Sequence, residues 1–173
     1  MLFSTEQNDN HPMTGSFPIT IISGGQTGAD QAALDAAIFL RIPHGGWICS
    51  GRKTEAGPLP DRYLLKELES PRYRDRTEKN ILAADGTLIV SFGSPSGGTA
   101  LTEALSIRHD RPFLRLDLDV ITETQAAAAL LSWLQEHKIR ILNVAGPRAS
   151  NEPRIHGAVY SILTNLAWEK LRP

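Results

Sequence analysis

A single cysteine, Cys49, leaves the chain without an internal disulfide framework, so its fold must rest on packing. No apolar run approaches the roughly 20 residues that span a bilayer. The opening MLFSTEQNDNHPMTGSFP has neither the basic nor the apolar region of a secretory signal. An excess of one charge is also missing: 18 Lys and Arg stand against 19 Asp and Glu, for a net −1. That balance supplies no field for gathering nucleic acid or acidic membrane. The five histidines (His11, His44, His109, His137, His156) show no HxxxH or Cys/His spacing, which argues against a structural metal. The absence of a GxSxG elbow argues against a hydrolase triad. These absences lead to an expectation of a soluble, cytoplasmic protein with no nucleic-acid or membrane partner.

What is present is ordinary globular composition, 41% hydrophobic and 21% charged over 173 residues. One domain of this size buries roughly two-thirds of its unfolded surface. Residues 1–17 read as a disordered polar lead-in and 18–173 as one ligand-binding domain. Short apolar runs alternate with helical periodicity, the pattern of an α/β protein with a parallel sheet. Strands are expected at 19–23, 46–48, 87–91, 113–118 and 139–144. Helices are expected at 29–40, 76–84, 100–109, 122–137 and 153–171, the fourth opened by the capping box Thr122-Glu123-Thr124-Gln125. The fold class is therefore a Rossmann-like, doubly wound parallel five-stranded sheet with helices on both faces. The expected strand order is 2-1-3-4-5, which makes strands 1 and 3 neighbours and places a ligand beyond their carboxyl ends. Residues 50–75, rich in Gly and Pro, read as a long functional loop with at most a short helix at 62–68. The apolar stretch 126–134, with Trp133, reads either as buried inside the domain or as a subunit interface, with the interface slightly favoured.

The chemistry gathers in turns. After the first strand comes Ser23-Gly24-Gly25-Gln26-Thr27-Gly28-Ala29-Asp30. Its glycines let backbone N–H groups approach a ligand, and a helix N-terminus follows, a combination suited to phosphate. It is neither a Walker loop nor GxGxxG. An acidic residue ending strand 2 would mark NAD, but the chain has Ser50-Gly51-Arg52-Lys53 instead. No NAD is expected, and Arg52 and Lys53 become phosphate contacts. The turn after the third strand repeats the device with Ser96-Gly97-Gly98-Thr99, and Glu103 follows about one helical turn later. Arg76 and Asn80, one turn apart, share a helix face. Asn143 and Arg148, near the end of the fifth strand, are placed to close the far side of the cleft.

Several separated motifs carry a resemblance: Ile21-Ile22-Ser23-Gly24-Gly25-Gln26-Thr27-Gly28-Ala29-Asp30, Pro43-His44-Gly45-Gly46-Trp47, Arg76-Thr77-Glu78-x-Asn80, Gly97-Gly98-Thr99-Ala100-Leu101-Thr102 and Asn143-Val144-Ala145-Gly146-Pro147-Arg148. Together they resemble the family named "putative molybdenum carrier". The resemblance implies a homo-oligomer that holds molybdenum cofactor, a phosphate-bearing pterin whose dithiolene carries the metal. A wider resemblance is to the Lonely-guy type phosphoribohydrolases, once labelled lysine decarboxylase-like, which release a base from nucleoside 5′-monophosphates. It implies catalytic roles for Arg76 and Glu103, although here Glu103 follows Thr99 by four residues rather than three. Three functions are therefore expected in order: a carrier of a phosphate-bearing small molecule, a phosphoribohydrolase, and a nucleotide-sensing regulator.

Overall fold

The computed structural model describes residues 19–171, so the expected lead-in at 1–17 lies outside the described residues. Five strands form one parallel sheet: β1 (Thr20–Ile22), β2 (His44–Gly45), β3 (Gly86–Ser91), β4 (Phe113–Asp117) and β5 (Ile141–Ala145). Five α-helices accompany it: α1 (Ala29–Leu40), α2 (Tyr73–Ala83), α3 (Gly97–Arg108), α4 (Glu123–Glu136) and α5 (Ile155–Thr164). α1 and α4 pack against α5, while α2 packs against α3. Right-handed crossovers put the first group on one face of the sheet and the second on the other. The fold is Rossmann-like. Among the described residues, no helix is long and apolar enough to cross a membrane.

Local sequence accounts for much of this. All six residues of β3 are buried, as a strand covered on both faces requires. α1 buries Ala29, Ala32, Ala33, Ala36 and Ala37, small side chains that let it lie close to the sheet and to α5. Both halves of the capping box form at α4: Gln125 N donates to Thr122 Oγ1 at 3.1 Å, and Thr122 N donates to Gln125 Oε1 at 2.9 Å. The apolar face of that helix is not left for a partner subunit. Ala126, Leu130, Trp133 and Leu134 are buried in the chain's own core.

The strand order is 2-1-5-3-4, not 2-1-3-4-5. β5 enters between β1 and β3, pairing Leu142 with Ile21 and Gly86, and Asn143 with Ile22 and Thr87. The chain therefore reverses its winding at the β5–β3 boundary, and the crevice lies there.

The 47–70 segment is a small layer of its own. Trp47–Ile48 leaves the main sheet and pairs in parallel with Lys66–Glu67, while Lys53–Thr54 and Gly57–Pro58 form a tight antiparallel ladder. Leu59, Tyr63, Leu65 and Ile48 close over Leu34 of α1 as a second cluster. No helix forms at 62–68. Arg52 holds this layer from inside: its guanidinium donates to the carbonyls of Leu59 (2.9 Å), Pro60 (3.0 Å), Tyr63 (2.9 Å) and Leu65 (3.3 Å). Its donors are engaged by four backbone oxygens, of which Pro60 O and Tyr63 O also accept from Tyr63 N and Leu65 N, and Arg52 lies outside the lining of the crevice.

Asn80 has a comparable role at the exit of β2. Its carboxamide accepts from Trp47 N and donates to Trp47 O, both at 2.9 Å, and is almost fully buried. Asn80→Ala would leave two half-buried backbone groups of Trp47 unpaired, each costing up to roughly 1–3 kcal/mol. We expect a loss of about 3 kcal/mol in urea unfolding. A loss below about 0.5 kcal/mol would contradict this role.

Candidate functional site

The loops following β1, β3 and β5 enclose a cleft of about 490 Å³ at the carboxyl ends of the strands, within the usual range for small-molecule sites. Gly24, Gln26 and Asp30 come from the β1 side, and Arg76, Thr77 and Asn80 from α2. Ser91, Phe92 and residues 94–99 come from the β3 side, with Thr102 behind them. Residues 143–148 supply the floor and far wall, together with Ser150, Asn151 and Glu152.

α3 begins three residues earlier than its periodicity suggests, so Gly97 and Gly98 form its first turn rather than a preceding loop. Ser96 makes no side-chain cap. Thr99 N and Ala100 N turn back to Ser96 O, at 3.0 and 3.2 Å. The N–H groups of Gly97 and Gly98 find no acceptor among the described residues, and nothing stands within 4 Å of where a Cβ would be on either. Gly97, at φ +50, adopts a backbone that side-chain-bearing residues rarely take. The result is a helix N-terminus with open donors facing a cleft, the geometry of an anion seat.

The opposite wall is more densely polar. Arg76 Nη1 lies 3.3 Å from Gly24 O and 3.9 Å from Asp30 Oδ2, and its Nε has no partner among the described residues. Asp30 is buried. Burial pushes its carboxyl above the ordinary Asp value, opposed first by the Arg76 charge. Gln26 is buried beside it, its Oε1 accepting from the backbone N–H groups of Thr27 and Glu55 at 3.0 Å each. Asn143, in the floor, donates to Thr87 Oγ1 at 3.2 Å. Farther out, Glu152 is pushed down to about 2 by its hydrogen bonds from Arg154, so it stays ionised there as one half of an ion pair.

Glu55, at the tip of the 53–58 ladder, fastens the β1 and β5 loops together. It accepts from Thr27 Oγ1 and from Ser150 N and Oγ, and Arg148 Nη1 lies 3.8 Å away. Arg148 also stands 5.3 Å from the Tyr73 ring centre, with Arg76 and Lys53 each at 5.1 Å. The hydroxyl bonds from Ser150 and Thr27 hold Glu55 below its ordinary value of 4.5. A depressed carboxyl stabilises the closed clasp fully above the unfolded value and loses that contribution as pH falls through the lower, folded one. The Ser150 amide should therefore exchange faster as pH drops below 4.5, after correction for intrinsic exchange. Exchange that does not change with pH there would contradict the clasp.

The residues singled out in the sequence thus divide. Gly24, Gln26, Asp30, Arg76, Asn80, Ser96, Gly97, Gly98, Thr99, Asn143 and Arg148 line the cleft. Gly25, Thr27, Gly28, Arg52 and Lys53 do not. Gly25 is backed by Leu59 and Leu65, and at Gly28 the β1 and β5 loops touch backbone to backbone near Ala149 N. Glu103 is half-buried and lies outside the cleft. Thr99 and Thr102 take the inward side, and the next residue on a helix is turned by about 100°. Glu55, Phe92 and Glu152 were not singled out, because no motif marks them. Among the described residues, no three or more His, Cys, Asp or Glu side chains gather to hold a metal ion.

The profile of a family described as "Circularly permutated YpsA SLOG family" matches residues 21–167. The chain belongs to that family. The permutation can be traced in the sheet: counted from β5 instead of β1, the order 2-1-5-3-4 becomes 3-2-1-4-5, the winding of nucleotide-binding doubly wound sheets. In this permuted SLOG fold the β5 loop, with Asn143 to Arg148, takes the place at which such sheets begin. The chain is also similar to the crystal structure, at 1.45 Å resolution, of a "Putative molybdenum carrier protein" from Syntrophus aciditrophicus SB. The two are 48% identical, with a TM-score of 0.85 over 90% of this chain and 100% of the other. Among curated proteins, none matches the chain.

Proposed function

We propose that the protein carries a phosphate-bearing small molecule in the cleft at the β5–β3 boundary. The observation that supports this most strongly is the uncapped start of α3, where Gly97 and Gly98 present two open N–H groups with no side chain in the way. A phosphate there would gain the helix dipole and two charge-assisted hydrogen bonds. Gln26, Asp30 and Arg76 on the opposite wall then face the rest of the molecule. The relative from Syntrophus aciditrophicus, named for carrying molybdenum, supports a carrier over other binding roles. If the cargo is molybdenum cofactor, the residues fit its phosphate. They supply no metal-ligand cluster, and Cys49 is fully buried outside the cleft lining. The metal would travel on its own dithiolene. The homo-oligomer and the cytoplasmic location remain part of this proposal.

Gly98→Pro tests the phosphate seat. Proline is tolerated in a first helical turn, the space around Gly98 is open, and the change removes one of the two donors. A hydrogen bond to a charged group is worth about 1.5–3 kcal/mol. Calorimetric titration with ribose 5-phosphate should therefore show at least a tenfold loss of affinity on the order of that energy, with the thermal midpoint nearly unchanged. Equal affinity in both proteins, or no binding by the native chain, would contradict the reading.

A second reading, base release from a nucleoside 5′-monophosphate, moves from Glu103 to Asp30, the buried carboxylate in the cleft wall. Base release by the native protein that disappears in Asp30→Asn would favour it over a carrier.

A further inference from the structure

Gln26 is only 4% exposed, yet its Nε2 finds no partner among the described residues. Its orientation is not free. Oε1 accepts two backbone N–H groups, from Thr27 and Glu55, so the oxygen is committed and the amide nitrogen can act toward the cleft only as a donor. A buried donor without an acceptor is costly. Beside it stands an acceptor: Asp30 Oδ2 takes the Gln26 backbone N–H at 3.2 Å, and Asp30 lines the same wall.

The charges on this wall cancel in pairs, Arg76 against Asp30 at 3.9 Å and Arg148 against Glu55 at 3.8 Å. It is therefore ill suited to a second phosphate and well suited to a neutral polar group. β5 lies between β1 and β3, so the wall stands two strand spacings, roughly 10 Å, from the start of α3. That span suits a molecule with a phosphate at one end and a ring at the other.

Resting on the phosphate-carrier reading, we propose that Gln26 and Asp30 read a lactam edge on the ligand's ring, a carbonyl beside a ring N–H. Gln26 Nε2 donates to the carbonyl, and the Asp30 carboxylate accepts from the N–H. The ligand class is thus a phosphomonoester of an oxo-heterocycle, an oxopurine, oxopyrimidine or oxopteridine, in preference to an amino-substituted ring without the N–H.

Inosine and adenosine 5′-monophosphates form the test pair, since they differ only in exchanging a ring carbonyl and N–H for an amine and a bare nitrogen. Calorimetric titration of the native chain should give inosine monophosphate at least about a tenfold tighter constant, on the order of one matched hydrogen bond. Gln26→Glu keeps an oxygen for Thr27 and Glu55 but replaces the donor by a second oxygen. It should erase or invert the preference, with ribose 5-phosphate as the reference for the added charge. Equal affinities for the two nucleotides in the native chain would overturn the lactam inference while ribose 5-phosphate binding leaves the phosphate reading standing. A preference that survives in Gln26→Glu would overturn it too. Failure of all three compounds to bind would remove the phosphate reading and this inference with it.

Discussion

Gly46→Ala should destabilise the protein by about 4 kcal/mol or more, in the range reserved for gross backbone conflict. Gly46 has φ +123, and a Cβ built there would overlap the Ser23 carbonyl oxygen while lying 2.9 Å from Ser23 N and 3.0 Å from Asn80 Oδ1. Two of those three atoms are backbone at the start of the β1 turn, so no rotamer change relieves the clash. The strain of the left-handed region adds to it. Gly45 is the internal control. Its Cβ would meet only Leu64 O, at 3.5 Å, an ordinary contact. Urea unfolding should therefore separate the neighbours, with Gly45→Ala remaining within about 1 kcal/mol of the native chain. Equal losses at the two positions would contradict the packing described here. The pairing of glycines in His44-Gly45-Gly46-Trp47 thus has its cause at the second glycine, where β2 parts from the Trp47–Ile48 strand against the back of the β1 turn.

Gly24→Ala is expected to leave the fold intact and to disable the β1 wall of the cleft. A Cβ on Gly24 would lie 2.6 Å from Arg76 Nε, 2.8 Å from its Cζ and 2.9 Å from its Cδ. These atoms belong to a flexible side chain, and the backbone conformation at Gly24 is an ordinary one. Arg76 must then leave its place over Gly24 O and beside Asp30. Inosine 5′-monophosphate should lose about tenfold or more in affinity, the scale of one charged hydrogen bond, while ribose 5-phosphate, held at α3, changes far less. Arg76→Ala is a harsher probe, because it removes the guanidinium charge opposite the buried Asp30 carboxylate outright, whereas Gly24→Ala shifts that charge and keeps it in the chain. Unchanged nucleotide affinity in Gly24→Ala would mean that Arg76 plays no part in the site.

Local elements were legible in the sequence at α1 and α4, where a single stretch carried the signal, but not at 46–48, where the strand that joins the main sheet is His44–Gly45, nor at 62–68, where no helix forms. The bounds of α1 coincide with its alanine periodicity, and the Thr122–Gln125 box opens α4 as read. Strand order was not legible, because which parallel strands become neighbours is decided by long crossovers and not by any pattern within a strand. The apolar run at 139–144 looks like an edge strand at the end of the chain, and only its insertion between β1 and β3 makes the Asn143–Arg148 turn central to the cleft. The glycines at 97 and 98 read as loop because glycine is a poor helix former, yet the first turn of a helix forgives them and gains open donors from their lack of side chains. Polar residues were the hardest to place. Arg52 and Asn80 have the chemistry of ligand contacts, but the irregular backbone at 47–65 needed their hydrogen bonds. Glu55 belongs to no motif, and its role exists only once two distant loops meet at the tip of the 53–58 ladder.

Amide shifts of the ¹⁵N-labelled protein during titration with ribose 5-phosphate test the phosphate seat most directly. Saturable movement concentrated at the Gly97, Gly98 and Thr99 amides, with smaller changes along the β5 loop, is the expected result. Saturable movement centred elsewhere, or none at these three amides, would contradict the assignment of the cleft as a phosphate site.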